Sequence, residues 1–243
     1  MFIHGLVVGL SLYHLLWVVI KRRIANYSIA LLWWQLVLHV CISSVDVSLL
    51  PRPHGVHTDV CTLVNTSKRG DDMFALYYGG SAAMWLAIGY RDGYAKRRTI
   101  NKDDAVMGLH HIVTSALIAV SYCIDQQAIG NVILALHNIS DIFITLLKLM
   151  AKHEARQSYL RVVYVVTLLV WTYTRLHVFR RMAFESVVIA NGSAQVACAC
   201  FLVTLLAMHV YWTALLIKIA ISSGGQAQHM VQAYQKNDKQ KIK

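Results

Sequence analysis

The chain has 243 residues, 57 % of them hydrophobic and only 14 % charged, with a formal net charge of +11. A water-soluble domain carries about 25 % charged residues, so an ordinary soluble fold is excluded. The five cysteines are scattered and show neither a metal-ligand spacing nor a disulfide framework.

Seven apolar runs long enough to cross a bilayer follow in chain order: residues 2–20, 28–50, 73–90, 105–124, 128–150, 159–179 and 196–221. A backbone in lipid must satisfy its own hydrogen bonds, which makes each run a helix. The predicted fold is an all-α polytopic membrane protein with about seven transmembrane helices. The first run lacks a basic leader and ends in Lys21, Arg22 and Arg23, the pattern of a retained anchor rather than a cleaved signal peptide. The second run stops at Pro51 and Pro53. Residues 1–72 hold the first two spans and a loop, with the second span opening the bundle. Residues 73–221 form the core, and residues 222–243 are a basic tail.

Charge sets the expected orientation. On the seven-span arrangement, 17 of the 23 Lys and Arg residues fall on one side. The other side holds Arg52, Lys68, Arg69, Arg175, Arg180 and Arg181. The positive-inside rule puts the basic side in the cytosol, so the N-terminus is lumenal and the C-terminus cytosolic. This loop bias accounts for the net charge without a nucleic-acid partner. The sequons at Asn65 and Asn191 fall on the lumenal side, whereas a third, at Asn26, falls on the cytosolic side. The ending Lys239-Gln-Lys241-Ile-Lys243 resembles a Lys-x-Lys-x-x retrieval signal, which points to the endoplasmic reticulum membrane.

Two segments break the apolar pattern. The fourth span carries His110 and His111, and the fifth carries His137, Asn138, Ser140 and Asp141. Ionisable groups at membrane depth are costly and mark a site or a pathway. At 1.5 Å per residue, His110 lies roughly 8 Å and Asp141 roughly 14 Å from the cytosolic ends of their spans. All can meet in the cytosolic half of the bilayer. His137 and Asp141 are four residues apart on one helix face, while His110 and His111 point about 100° apart. Taken singly, His14, His39 and His209 are expected to be helix–helix hydrogen-bonding groups. His54 and His57 are too few to hold a metal.

Rival classes lack their signatures. There is no second His-x-x-His-His box for a di-iron enzyme, and Met107 stands three before His110. Lys218 lies near the end of the last span, not midway as a retinal protein needs. No repeat or broken helix suggests a transporter.

The stretch Trp85–Tyr90, Arg91-Asp92, Lys96-Arg97-Arg98, Lys102-Asp103-Asp104, Met107, His110-His111, Thr114, Ser121-Tyr122, Gly130, Ala135-Leu136-His137, Ser140-Asp141 and Lys148 resembles the Lag1 motif of ceramide synthases, within the TRAM–LAG1–CLN8 (TLC) domain family. Thr174-Arg175-Leu176 and Tyr211-Trp212 are weaker matches. The resemblance implies six helices in a barrel around a long pocket, preceded by one extra span. It implies transfer of a fatty acyl group from acyl-CoA to the amine of a sphingoid long-chain base, with no cofactor, no metal, and membrane lipids around it. A homodimer is compatible with it. The family's adjacent histidines match His110 and His111, and its two aspartates fall at Asn138 and Asp141. Asn138 therefore stands where the family usually has Asp, and its amide carries no charge. With that carboxylate gone, Asp141 is left to balance an imidazolium alone.

On this reading His110, His111, His137, Asn138 and Asp141 are the catalytic set. An imidazole acts either as a general base on the amine or as a covalent acyl carrier, with Asp141 orienting it. Lys96, Arg97, Arg98, Lys102 and Lys148 would meet CoA phosphates at the cytosolic mouth. Tyr122 and Ser140 join them as substrate-binding residues. The segments Tyr77–Ser81 and Trp171–Tyr173 are candidates for the apolar lining. A non-catalytic TLC lipid-binding, sensing or transfer protein is the alternative, and Asn138 is the feature that suggests it.

Overall fold

The computed structural model describes residues 1–48, 72–95, 102–153 and 155–222. The described residues hold helices and no strand. In chain order these are α1 (Phe2–Arg23), α2 (Tyr27–Ser48), α3 (Asp72–Ala95), α4 (Lys102–Cys123), α5 (Gln127–Lys152), α6 (Gln157–Trp171), a π-helical segment (Thr172–Val178), α7 (Phe179–Ile189) and α8 (Ser193–Ser222). The π-helical segment joins α6 and α7 into one rod.

Among the described residues, six helical segments are long and apolar enough to cross a membrane: Phe2–Arg23, Tyr27–Asp46, Ala105–Cys123, Gln127–Lys152, Gln157–Ile189 and Ser193–Ile221. The expected seventh apolar span, at residues 73–90, falls within α3, a 24-residue helix that does not reach that apolarity. The physical reason is its position. Tyr78, Ser81, Met84, Trp85 and Ile88 are buried against protein, and a helix shielded from lipid tolerates polar and small residues.

Neighbouring helices close a ring of six in the order α2, α3, α4, α8, α6–α7, α5 and back to α2. α1 stays outside the ring and packs mainly on α3. Gly5 and Gly79 permit this contact, because a Cβ at Gly5 would overlap the Leu76 carbonyl oxygen and one at Gly79 that of Phe2. Close backbone approach at small residues is how helices associate in lipid, where dispersion replaces the hydrophobic effect. The exposed side chains of α1, such as Ile3, Val7, Leu12 and Leu15, form its outward face.

α5 is the most enclosed helix, with every residue from Ile129 to Asn138 buried. Two apolar clusters flank its middle. One gathers Leu117, Ile133, Phe179, Leu202 and Leu205 from α4, α5, α7 and α8. The other gathers Trp34, Leu38, Tyr78 and Trp85 from α2 and α3, with Leu134 from α5. The polar residues lie between these clusters, and rings from both reach His137: Trp85 at 6.4 Å and Phe179 at 5.3 Å between centroids.

Candidate functional site: a buried histidine cluster

His110 and His111 come from α4, His137 from α5 and His209 from α8, and all four are buried. The rings of His110 and His137 stack at 6.0 Å with an interplanar angle of 11°. His137 and His209 are 5.0 Å apart, and His110 and His111 5.6 Å. The Trp85 ring of α3 stands against three of them and also lies 6.0 Å from His39 of α2. Each helix of the ring thus sends a side chain into this centre or binds one that does. The expected meeting of His110, His111 and His137 is what the geometry shows.

Hydrogen bonds settle two tautomers. His137 Nδ1 lies 2.8 Å from the Ile133 carbonyl oxygen. A carbonyl only accepts, so Nδ1 carries the proton and the neutral ring presents its lone pair at Nε2. That Nε2 is buried and has no hydrogen-bond partner among the described residues. His209 Nε2 accepts from Arg175 Nη1 at 2.9 Å, which leaves the proton on its Nδ1. His110 Nδ1 is likewise buried without a partner. Buried polar atoms in folded proteins are nearly always hydrogen-bonded, so these two imidazole nitrogens, buried and without a partner among the described residues, suit a site that receives a reactant.

Arg175 organises the second half of the site. It is 1 % exposed, which corrects its sequence-based placement among the loop charges. It sits in the π-helical segment, and such insertions re-aim side chains and cluster at functional sites. Its guanidinium donates from Nε to Ser140 Oγ at 2.7 Å, and from Nη2 to Asp141 Oδ1 at 2.7 Å and to the His137 carbonyl at 3.2 Å. It also lies over the Trp171 ring at 4.9 Å. Asp141 therefore pairs with Arg175, and the expected direct contact between Asp141 and an imidazole gives way to this ion pair. The cause is geometric, because the several N–H donors of one guanidinium reach Asp141, Ser140, His209 and the His137 carbonyl together, which a single imidazole N–H does not.

Asn138 faces α2 instead. Its Nδ2 donates to Asp46 Oδ2 at 2.7 Å, and its Oδ1 accepts from His39 Nδ1 at 3.1 Å. The amide orientation is the one these partners require, since a carboxylate can only accept. Ser140 donates to the His137 carbonyl at 2.9 Å while accepting from Arg175. Tyr122 lies elsewhere, stacked on Phe2 at 4.6 Å and on Tyr78 at 6.4 Å. It is twelve residues from His110, roughly 18 Å along the helix. Lys148 is half-buried near the C-terminal end of α5. Lys102 begins α4, and its side chain lies outside the described residues, as do Lys96, Arg97 and Arg98. His54, His57 and the sequon at Asn65 fall outside them too.

Two narrow cavities, of about 20 and 10 Å³, adjoin at Leu117, Gly130 and Ile133. The inner one touches His137, Tyr78 and Leu205. The outer one runs to Gln126, Ile189, Ala190 and Gln195 at the far end of the bundle. Each has room for about one water, and together they mark a narrow seam between α4, α5, α7 and α8. Of the proposed lining, Tyr78 reaches this seam, while Gly79 packs on α1.

Sequence reasoning missed Asp46, Arg175, His39, His209 and Trp85 as parts of the site. Asp46 and His39 are ionisable groups inside an apolar span, which was the available signal. For Arg175 the only signal was its weak family match.

This is a polytopic helical membrane protein with a buried polar centre. The TLC domain model matches residues 28–218 of the chain. The chain belongs to the TLC domain family. It is 32 % identical over 125 residues to ASC1-like protein 3 of Oryza sativa subsp. japonica, covering 47 % of this chain and 44 % of that protein. It is 30 % identical over 128 residues to ceramide synthase 5 of Homo sapiens, covering 50 % and 32 %. A sphingosine N-acyltransferase-like protein of Alternaria alternata is 37 % identical over 99 residues, covering 41 % and 22 %. The matches thus span less than half the length of these relatives.

Proposed function

We propose that the protein is a sphingoid-base N-acyltransferase, a ceramide synthase, that transfers a fatty acyl group from acyl-CoA to the amine of a long-chain base. The observation that carries this reading is the stacked pair His110 and His137, buried in a TLC-family ring, with His137 Nε2 presenting an unpaired lone pair. The names of the relatives support the substrate class.

The chemistry suits these groups. A long-chain base carries an ammonium in water, and its amine attacks a thioester only after losing a proton. An imidazole lone pair in the water-poor centre accepts that proton. On the second route an imidazole nitrogen of His110 or His111 attacks the thioester carbonyl. The C–S bond breaks, CoA leaves as the thiolate, and the amine then displaces the imidazole. Arg175, held by Asp141, keeps His209 and the α5 backbone in place around either route.

The lipid tails have an apolar path. The seam past Leu117, Gly130 and Ile133 leads away from His137 between helices, and a chain enters by parting α4 and α5 from α8. Basic residues Lys96, Arg97, Arg98, Lys102 and Lys148 supply charge for CoA phosphates at the mouth. On this reading the protein sits in the endoplasmic reticulum membrane, N-terminus lumenal and C-terminus cytosolic.

The test is an acylation assay on purified protein in detergent, with a labelled long-chain base and a panel of acyl-CoAs. Ceramide is expected from the wild type, with a loss of about 100-fold or more in His110→Ala and His111→Ala. A burst of CoA release without base would identify the acyl carrier. Folded protein that binds the base but never acylates it would replace this reading with a lipid-binding one.

A further inference from the structure

His209 of α8 is 0 % exposed. Arg175 Nη1 lies 2.9 Å from its Nε2, and a guanidinium only donates, so the proton of the ring sits on Nδ1. That N–H is buried and has no hydrogen-bond partner among the described residues. An unpaired buried donor is costly, and it is explained where an incoming acceptor completes it. Arg175 does more than fix the tautomer. Its charge, donated into Nε2, draws electron density through the ring and makes Nδ1–H the stronger donor.

The position of this donor matches the chemistry of its neighbours. The two nitrogens of an imidazole point in widely different directions, so the N–H is turned away from Arg175. Trp171 lies under the guanidinium, on the Arg175 side. The other rings around His209 are Phe179 at 4.8 Å, His137 at 5.0 Å, His110 at 6.3 Å and Trp212 at 6.4 Å. Leu205 is one turn before His209, and helical side chains lean back over the preceding turn. Leu205 and His137 line the same inner cavity. Two neighbouring rings beside this cavity thus carry complementary unpaired groups: a lone pair on His137 Nε2 and an N–H on His209 Nδ1. Acyl transfer to an amine needs both, a base for the proton and a donor for the carbonyl oxygen.

We propose that His209 is a catalytic residue of the acyl transfer: its Nδ1–H donates to the thioester carbonyl oxygen and stabilises the oxyanion that forms there. The inference rests on the acyltransferase reading above. The ammonium first gives one proton to an imidazole. As the C–N bond forms, the carbonyl π pair moves onto the oxygen and the hydrogen bond from His209 strengthens. The pair then returns, the C–S bond breaks, and the leaving thiolate takes the second proton from nitrogen. The same oxyanion forms when an imidazole attacks first, so the role of His209 holds on both routes. Arg175 is a positioning residue, acting through the His209 ring.

The experiment separates the two nitrogens of His209 in the ceramide assay, with folding followed by circular dichroism and thermal unfolding. His209→Gln places an amide oxygen near Nε2, where it still accepts from Arg175, and leaves no donor at the place of Nδ1. Its melting temperature is expected to stay near that of wild type while kcat falls about 100-fold and KM for base and acyl-CoA stays within about threefold. His209→Asn is shorter. It keeps an amide N–H near the place of Nδ1 and gives up the bond to Arg175. It is expected to melt lower yet to turn over about tenfold faster than His209→Gln. A purely structural His209 predicts the reverse order, because the bond to Arg175 would then be what matters. Folded His209→Gln with wild-type kcat overturns the proposal, and so does folded His209→Asn slower than His209→Gln. If His209→Asn does not fold, His209→Gln decides alone. Wild type that makes no ceramide overturns the acyltransferase reading itself, an outcome distinct from these.

Discussion

The guanidinium of Arg175 donates to Asp141 Oδ1 at 2.7 Å across the gap between the π-helical segment and α5. One ion pair thereby ties two members of the ring together beside the histidines. It joins residues 34 apart in sequence.

Removing one partner of a buried pair strands the other. Arg175→Ala leaves Asp141, His209 Nε2 and Ser140 without their donor and is expected to cost about 3–5 kcal/mol. Arg175→Lys keeps a charge for Asp141 but cannot reach Ser140 and His209 together, so it falls between. Thermal unfolding in detergent reads this order, and an unchanged melting temperature in Arg175→Ala would contradict it.

Gly89 backs directly onto His111. A Cβ there would lie 2.9 Å from His111 Cβ and 3.0 Å from its Cγ, so Gly89→Ala pushes the imidazole out of place. A misplacement of about 1 Å costs up to about 100-fold in rate. The expected result is ceramide formation reduced about 10- to 100-fold in a folded protein. Full turnover in Gly89→Ala would show that the position of His111 does not matter to the reaction.

Tyr78 and Gly130 meet beside the seam. The Tyr78 hydroxyl shares a hydrogen bond with Ser121 Oγ at 2.7 Å, and a Cβ on Gly130 would overlap that hydroxyl. Gly130→Ala is expected to cost about 1–3 kcal/mol by overpacking. Adding Tyr78→Phe removes the overlapping oxygen and restores part of the loss. Additive losses in the double variant would refute the contact.

The crossing of α1 on α3 is set by glycine. Gly5→Leu and Gly79→Leu force the backbones apart and are expected to lower stability by about 1–3 kcal/mol or more. Gly108→Ala is the control, because a Cβ there meets nothing within 4 Å. Equal melting temperatures for the three variants would mean that α1 does not pack as described.

Much of the architecture is legible in the chain itself. Apolar runs at bilayer length define the helices, because lipid leaves the backbone no other way to pair its groups. The pairs His110-His111 and His137-Asn138 stand out for the same reason, since polar residues at that depth are costly. Where polarity is paid to neighbours and not to lipid, the pattern fails. α3 is less apolar than its role as a ring helix suggests, because Tyr78, Ser81 and Trp85 are buried in protein.

Sequence by itself determined the membrane class, the helical bundle and the two histidine-bearing segments, all of which depend on local composition and short spacing. Only the tertiary structure decided the partners. Asp141 went to Arg175, Asn138 to Asp46 and His39, and His209 into the cluster. These contacts join residues 34 to 99 positions apart. A helical period places side chains on a face but does not say which helix that face meets. Ring order and the re-aiming of Arg175 by the π-helical segment settle that, through packing between distant segments.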